Sequence, residues 1–136
     1  MIAWAGRLIV FFGAAHTVLA LTLEGAARHA GDWFSGALWH DDLSAMSPAN
    51  SALWLSLDSF GIPLVMVGLT VLWLDRRGLT PPPFIAWILG AWTVLGAVIM
   101  PLTPWPIMAV ATGLLVAGAR RPAPALPDPD PDRVTE

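Results

Sequence analysis

The segment from Ser51 to Leu74 is strongly apolar and contains a single ionisable side chain, Asp58. About 20 mostly apolar residues, at 1.5 Å per residue, cross a hydrocarbon layer of roughly 30 Å. A helix that is apolar on every face is rarely needed in a small soluble domain. Ser47 and Pro48 can start the helix, and the run Asp75 to Gly78 can end it. The sequence therefore predicts an uninterrupted membrane-spanning helix, with lipid as its solvent.

The composition agrees with a membrane protein. Hydrophobic residues make up 56% of the chain and charged residues 12%, with a mean hydropathy of +0.65, against about 25% charged residues in soluble domains. The chain has no lysine, and no Gly-rich phosphate loop precedes a helix, which argues against nucleic acid as a partner. It also has no cysteine, which excludes disulfides and thiolate ligands.

Four apolar segments of this kind predict an all-α, integral membrane four-helix bundle in residues 1–121. The expected spans are residues 3–23, 51–74, 84–100 and 106–119. A secretory signal peptide is the competing interpretation of the first span, but three further spans favour a helix that is retained. Residues 122–136 are rich in proline and aspartate and are predicted to be a disordered cytoplasmic tail.

The loop between the first two spans, residues 24–50, has a helical pattern of apolar residues. Two sets share a face at helical spacing: Phe34, Ala37 and Leu38, and Trp39, Leu43 and Met46. This pattern predicts a short amphipathic helix lying at the membrane interface, with Asp41 and Asp42 toward water.

Arginine placement predicts the orientation of the chain in the membrane. If both termini are cytoplasmic, six arginines lie inside and only Arg28 lies outside, as expected for short loops. The six are Arg7, Arg76, Arg77, Arg120, Arg121 and Arg133. Tryptophans would then form two interfacial belts, with Trp92 alone at mid-membrane. The predicted location is a cell membrane with both termini cytoplasmic, and the lipid bilayer is the main partner.

Each predicted span has one face of small or weakly polar residues, as helices that associate in lipid require. The faces are Gly6, Gly13, Thr17 and Ala20; Ser51, Asp58, Gly61 and Gly68; Ala86, Gly90, Thr93 and Ala97; and Ala109, Thr112, Gly113 and Ala117. Packing within the chain is the simpler explanation. A contact with a second copy or with another membrane protein is the alternative.

His16 and Asp58 are the candidate site. A carboxylate inside a span costs about 2.5–3.5 kcal/mol on insertion scales, so it usually faces protein and has a partner. Both residues are predicted at a similar depth and on the small-residue faces, where they could meet. Such a pair suits proton transfer, a polar head group or half of a metal site. Alternatively it only joins two helices, or Ser56 and Ser59 satisfy Asp58 locally, beside a kink at Pro63.

Other polar residues are secondary candidates. Arg7 is expected to extend its guanidinium to the cytoplasmic phosphates, and Thr17, Ser59 and Thr93 lie on or beside the small-residue faces. A group in the first loop has the residue types that bind zinc or copper, but its spacing matches no ligand motif, so neither metal nor cofactor is predicted. That group is His29, His40, Asp41 and Asp42.

Three stretches carry a family resemblance: GRLIVFFGAAHTVLAL in the first span, LWLSLDSFGIPLVMVGLTVLWLDRRG in the second, and the proline-broken third and fourth spans. Over roughly Met1 to Arg121 the chain resembles DUF6463, a family of small bacterial membrane proteins whose function is unknown. The resemblance implies an integral membrane bundle and brings no activity with it.

Three functions are compatible with these features. The sequence favours a non-enzymatic accessory or structural membrane subunit. The second is a small transporter or lipid-binding protein with an outward-facing polar pocket at His16 and Asp58. The third, a membrane-embedded enzyme with His16 as acid or base, ranks last because no other catalytic group is expected at that depth and no hydrolase motif is present.

Overall fold

The structure, a computed structural model, describes residues 1–42 and 44–120, and the predicted tail at 122–136 lies outside the described residues. Within these ranges the protein is all-helical and has no strand, as the composition predicts. The helices are α1 (Ile2–Thr22), α2 (Ala30–Phe34), α3 (Pro48–Leu55), α4 (Gly61–Arg76), α5 (Pro83–Ile99) and α6 (Trp105–Ala119).

The second apolar segment is not the uninterrupted helix that its hydropathy predicts. It is divided into α3 and α4 by a turn at residues 56–60. The Ser56 hydroxyl donates to the carbonyl of Ala52 at 2.6 Å, a local bond that competes with the helix ladder. Pro63 lies in the first turn of α4, where a missing N–H removes no helical bond, so it marks a helix start and not a kink.

The predicted interfacial helix is also replaced by shorter pieces. A 3-10 turn (Ala26–His29), α2 and a second 3-10 turn (Ala37–His40) follow one another. Gly36, with φ 82°, interrupts them in a left-handed conformation that no right-handed helix contains. Leu43, part of the predicted apolar face, lies outside the described residues. We call residues 26–42 and 44–55 the cap, because α3 packs on α2 and on the first 3-10 turn.

The four long helices pack around a common core. Helix α1 packs on α4 and on α6, and α6 packs on α5. Adjacent helices are antiparallel: Gly13 of α1 approaches Gly61 of α4, and Ile2 of α1 approaches Gly118 of α6. A groove of about 360 Å³ separates α4 from α5. The packing is therefore open between these two helices.

Glycine sets the distance between α1 and α4. A Cβ on Gly13 would lie 2.5 Å from the carbonyl oxygen of Gly61, and a Cβ on Gly68 would lie 2.9 Å from that of Gly6. Both distances are too short for any side chain. The small faces predicted for the first two spans thus meet each other, and they meet within one chain.

The fourth predicted face behaves differently. Ala109, Gly113 and Ala117 of α6 are exposed, and a Cβ on Gly113 would meet nothing within 4 Å. Helix α6 instead buries Met108 and Leu115, because it must fill the space between α1 and α5. Of this face only Thr112 packs inside the chain, against Gly90, so the prediction is wrong for the other three residues.

The buried core draws on all four long helices. Its members are Ala5, Ile9, Phe12, Leu64, Val71, Ala86, Leu89, Met108, Ala111 and Leu115. Many large apolar side chains on the outer faces stay exposed. Helix α1, with 21 residues, is long and apolar enough to cross a membrane, whereas α5 and α6 are apolar but shorter.

Candidate functional site

His16 lies near the carboxyl end of α1, where it meets the turn that precedes α4. Its Nε2 is 3.1 Å from the hydroxyl oxygen of Ser59, a hydrogen bond in which either group can donate, depending on the tautomer. The imidazole also stacks on the ring of Phe60, with ring centroids 4.0 Å apart. Gly61 makes this approach possible, because a Cβ there would lie 3.2 Å from the imidazole Cδ2 and collide with the hydroxyl of Thr17.

An aromatic cluster surrounds this contact and joins all four long helices. Phe60 packs on Phe12 at 6.2 Å and edge-on to Trp92 at 5.2 Å. Trp105 closes the cluster, at 4.9 Å from Trp92 and 6.1 Å from Phe12. These separations are typical of favourable aromatic pairs. Helical periodicity did not predict this cluster, although Trp92, the tryptophan predicted at mid-membrane, was a signal for it.

Asp58 does not join His16. Its side chain is exposed, and within the described part of the chain no hydrogen bond or ion pair links it to the imidazole. The expected meeting assumed a continuous helix, in which Asp58 would face the same way as Gly61. The turn at residues 56–60 removes that periodicity and brings Ser59, one residue later, to the imidazole instead.

The other predicted residues make local contacts. The Thr17 hydroxyl donates to the carbonyl of Gly13 at 3.2 Å, and the Thr93 hydroxyl donates to that of Leu89 at 2.6 Å. Both satisfy themselves on their own helix. Arg7 lies at the opposite end of the bundle from His16, with its guanidinium carbon 4.9 Å from the ring centroid of Trp4.

The cap carries several further titratable groups. Asp41 accepts two hydrogen bonds from Ser47, from its hydroxyl at 2.8 Å and from its backbone N–H at 3.2 Å. These bonds, the hydroxyl bond first, hold the pKa of Asp41 below its ordinary value. Ser47 in turn caps α3 by accepting from the N–H of Asn50. The carboxylate therefore fixes the start of α3.

The loop residues with metal-binding chemistry do not gather. His29 Nδ1 lies 3.5 Å from a carboxylate oxygen of Asp32, and Asp41 is engaged by Ser47. Within residues 1–42 and 44–120, no three His, Asp or Glu side chains come close enough to hold one metal ion.

A hydrogen bond between a serine hydroxyl and an imidazole is also part of a nucleophilic catalytic triad. A triad additionally requires an acid that orients the imidazole through Nδ1. Asp58, the nearest acid along the chain from Ser59, does not do this, since its side chain makes no hydrogen bond with His16 among the described residues. The hydrogen bond to Ser59 and the stacking on Phe60 join α1 to the turn that leads into α4.

These features define a small all-helical protein with at least one helix of membrane-spanning length, held together by glycine contacts and an aromatic cluster around one histidine. The chain belongs to the Family of unknown function (DUF6463), whose model matches residues 1–122, which confirms the resemblance found in the sequence. Among curated proteins and among solved structures no match is found.

Proposed function

We propose that this chain is a multi-pass protein of the bacterial inner membrane, in which α1, α4, α5 and α6 cross the bilayer and both termini are cytoplasmic. It acts as a non-enzymatic accessory or structural subunit. The exposed apolar side chains support a bilayer around the bundle, because they occur along every long helix; examples are Phe11, Met66, Ile88 and Val110.

The two ends of the bundle support the orientation. At one end Arg7 lies over Trp4 and Arg77 over Trp73, as expected at a cytoplasmic interface. At the other end the cap exposes its aromatic residues, with Phe34 87% and Trp39 84% exposed. Apolar rings in a water-facing loop are unfavourable, so the proposal places this cap at the outer lipid interface.

Helix lengths are compatible with crossing if the bilayer adapts. Helices α4, α5 and α6 have 16, 17 and 15 residues, or about 24, 26 and 22 Å. The bilayer core is roughly 30 Å thick, and short helices are accommodated by local thinning and by interfacial residues at their ends. The proposal therefore includes a thinned bilayer around α6.

The non-enzymatic assignment rests on the contacts of the His16 side chain. Its ring is occupied by the Ser59 hydroxyl and by the face of Phe60, and Thr17 and Thr93 bond to their own helices. His16, Ser59, Thr17 and Thr93 thus each have a structural partner. Interhelical links of this kind contribute about 0.6–2 kcal/mol each in membranes.

The test compares stability with ligand binding. His16→Ala removes both the hydrogen bond and the stacking, so it should destabilise by about 1–3 kcal/mol, whereas Ser59→Ala should cost about 0.6 kcal/mol. Matched controls are His40→Ala and Ser35→Ala in the cap. Unfolding is measured in mixed detergent micelles. If both variants keep full stability but lose a co-purifying lipid or a pH-dependent response, the structural assignment is wrong.

A second candidate is a transporter or lipid-binding protein with a pocket at His16 and Asp58 that opens to the outside. The break at residues 56–60 favours it, because non-helical backbone at membrane depth is tolerated where protein buries it or a water-filled cavity is lined. Asp58→Asn distinguishes the two candidates. If the pocket is functional, Asp58→Asn alters transport or lipid binding and leaves stability unchanged. If the polar residues of the interior are only structural, Asp58→Asn changes neither transport nor lipid binding.

A further inference from the structure

A long groove runs along the outer face of the α5 and α6 pair. It has a volume of about 670 Å³ and follows α5 from Ala86 to Val98. Two small residues, Gly90 and Ala91, line it where larger side chains would fill it, and Trp87 also lines it. The methyl group of Thr112 packs so close to Gly90 that a Cβ there would lie 3.2 Å away. Gly90 therefore allows α5 and α6 to approach each other beside the groove.

The groove does not end at Ala86. A second cavity of about 140 Å³ shares Ala86, Trp87 and Val116 with it, and extends to Pro83 and Arg120. From Val98 to Pro83 the combined groove is about 22 Å long, more than the roughly 15 Å depth of one leaflet. One path thus runs from a hydrocarbon-lined floor to a guanidinium group.

An apolar groove that ends at an arginine matches one class of ligand. An acyl chain fills a narrow apolar groove, and an anionic head group pairs with arginine at its mouth. Arg120 lies at the same end of the bundle as Arg7, since Ile2 packs on Gly118. Among the described residues, Arg120 is the one charged side chain that lines the mouth of the groove.

We propose that the α5 and α6 groove binds one anionic phospholipid, with an acyl chain along Gly90 and Ala91 and its phosphate at Arg120. The site is separate from His16, and it rests on the proposed placement of the bundle in a bilayer. The lipid would fill the groove that α5 leaves open on its outer side.

The experiment uses the full chain in a non-ionic detergent and native mass spectrometry with two lipids of identical acyl chains, phosphatidylglycerol and phosphatidylcholine. We expect phosphatidylglycerol to bind about fivefold more tightly, the factor that one arginine contributes near an anionic head group. Arg120→Gln should abolish this preference. Ala91→Phe, which fills the groove, should lower the binding of both lipids.

Two matched controls make the result specific. Arg76→Gln removes the same charge at the same end but outside the groove, and Ala117→Phe adds the same ring to the exposed face of α6 outside it; both should bind lipid as the unaltered chain does. Equal binding of the two lipids, an Arg76→Gln effect as large as that of Arg120→Gln, or undiminished binding by Ala91→Phe would overturn the proposal. So would a dimer that Ala91→Phe dissociates while lipid binding persists. If the chain instead stays dissolved and monomeric without detergent, the membrane placement itself fails.

Discussion

The close approach of α1 and α4 gives a sharp test of what holds this bundle together. In Gly13→Ala the new Cβ would lie 2.5 Å from the carbonyl oxygen of Gly61, while ordinary van der Waals contact begins at 3.4 Å. The helices must therefore separate locally by about 0.9 Å. Both atoms belong to rigid elements, since one is built on the α1 backbone and the other is the carbonyl oxygen of Gly61 in the first turn of α4. Side-chain rotation cannot relieve the collision.

The expected loss is that of overpacking, about 1–3 kcal/mol. The gain in helix propensity from glycine to alanine does not offset it, because in a membrane the separated helices are already formed. The matched control is Gly113→Ala on α6, whose Cβ would meet nothing within 4 Å. That variant should unfold like the unaltered protein.

Free energies of unfolding are measured by denaturant titration in mixed micelles for Gly13→Ala, Gly61→Ala, Gly113→Ala and the double variant Gly13→Ala with Gly61→Ala. Gly61 faces Gly13 across the same contact, and its own Cβ would also collide with the hydroxyl of Thr17. The double variant should lose less than the sum of the two single losses, because helices that have moved apart for one methyl group leave space for the second. If Gly13→Ala is as stable as Gly113→Ala, the glycine contact does not set the helix spacing.

Three further predictions concern single polar side chains. The hydroxyl of Thr112 is buried without a partner among the described residues, so Thr112→Val should leave the unfolding free energy unchanged or raise it by about 1 kcal/mol in the same titration. Trp33 donates to the carbonyl of Ala49 at 2.8 Å; Trp33→Phe should weaken the cap by about 0.5–1.5 kcal/mol, seen as faster proteolysis of that loop at unchanged stability of the four long helices. The pKa of Asp41 is lowered chiefly by Ser47, so this contact stabilises the cap above the ordinary pKa of 3.8 and is lost as pH falls through the lowered folded value. Ser47→Ala should raise that pKa in an NMR titration, and an unshifted carboxyl signal would contradict the assignment.

Hydropathy and small-residue spacing predicted the helical class and a contact between the first two apolar segments. Gly6 and Gly13 are seven residues apart on α1, and Gly61 and Gly68 are seven apart on α4, so antiparallel helices bring both pairs into register. This information is local and periodic, and a sequence displays it directly. The family assignment has the same origin, because apolar motifs over nearly the whole chain carry it.

The partner of His16 could not be read in this way. Ser56 and Asp58 are polar residues in an apolar run, and nothing in the hydropathy of that run shows that the backbone leaves the helix there. The break shifts the register by enough to replace a carboxylate with the hydroxyl of Ser59. Face assignments fail beyond a helix end, because they assume that each residue turns by the same angle.

The aromatic cluster was beyond sequence reasoning for a different reason. Phe12, Phe60, Trp92 and Trp105 come from segments far apart in the chain, and they meet only because α6 lies between α1 and α5. Trp105 is the first residue of α6, and its ring packs over Gly96. The sequence by itself determined the apolar helices and which glycines allow close contact, since those depend on composition and period. The tertiary structure decided which side chains surround His16 and where grooves remain open, because both depend on the order in which the helices pack.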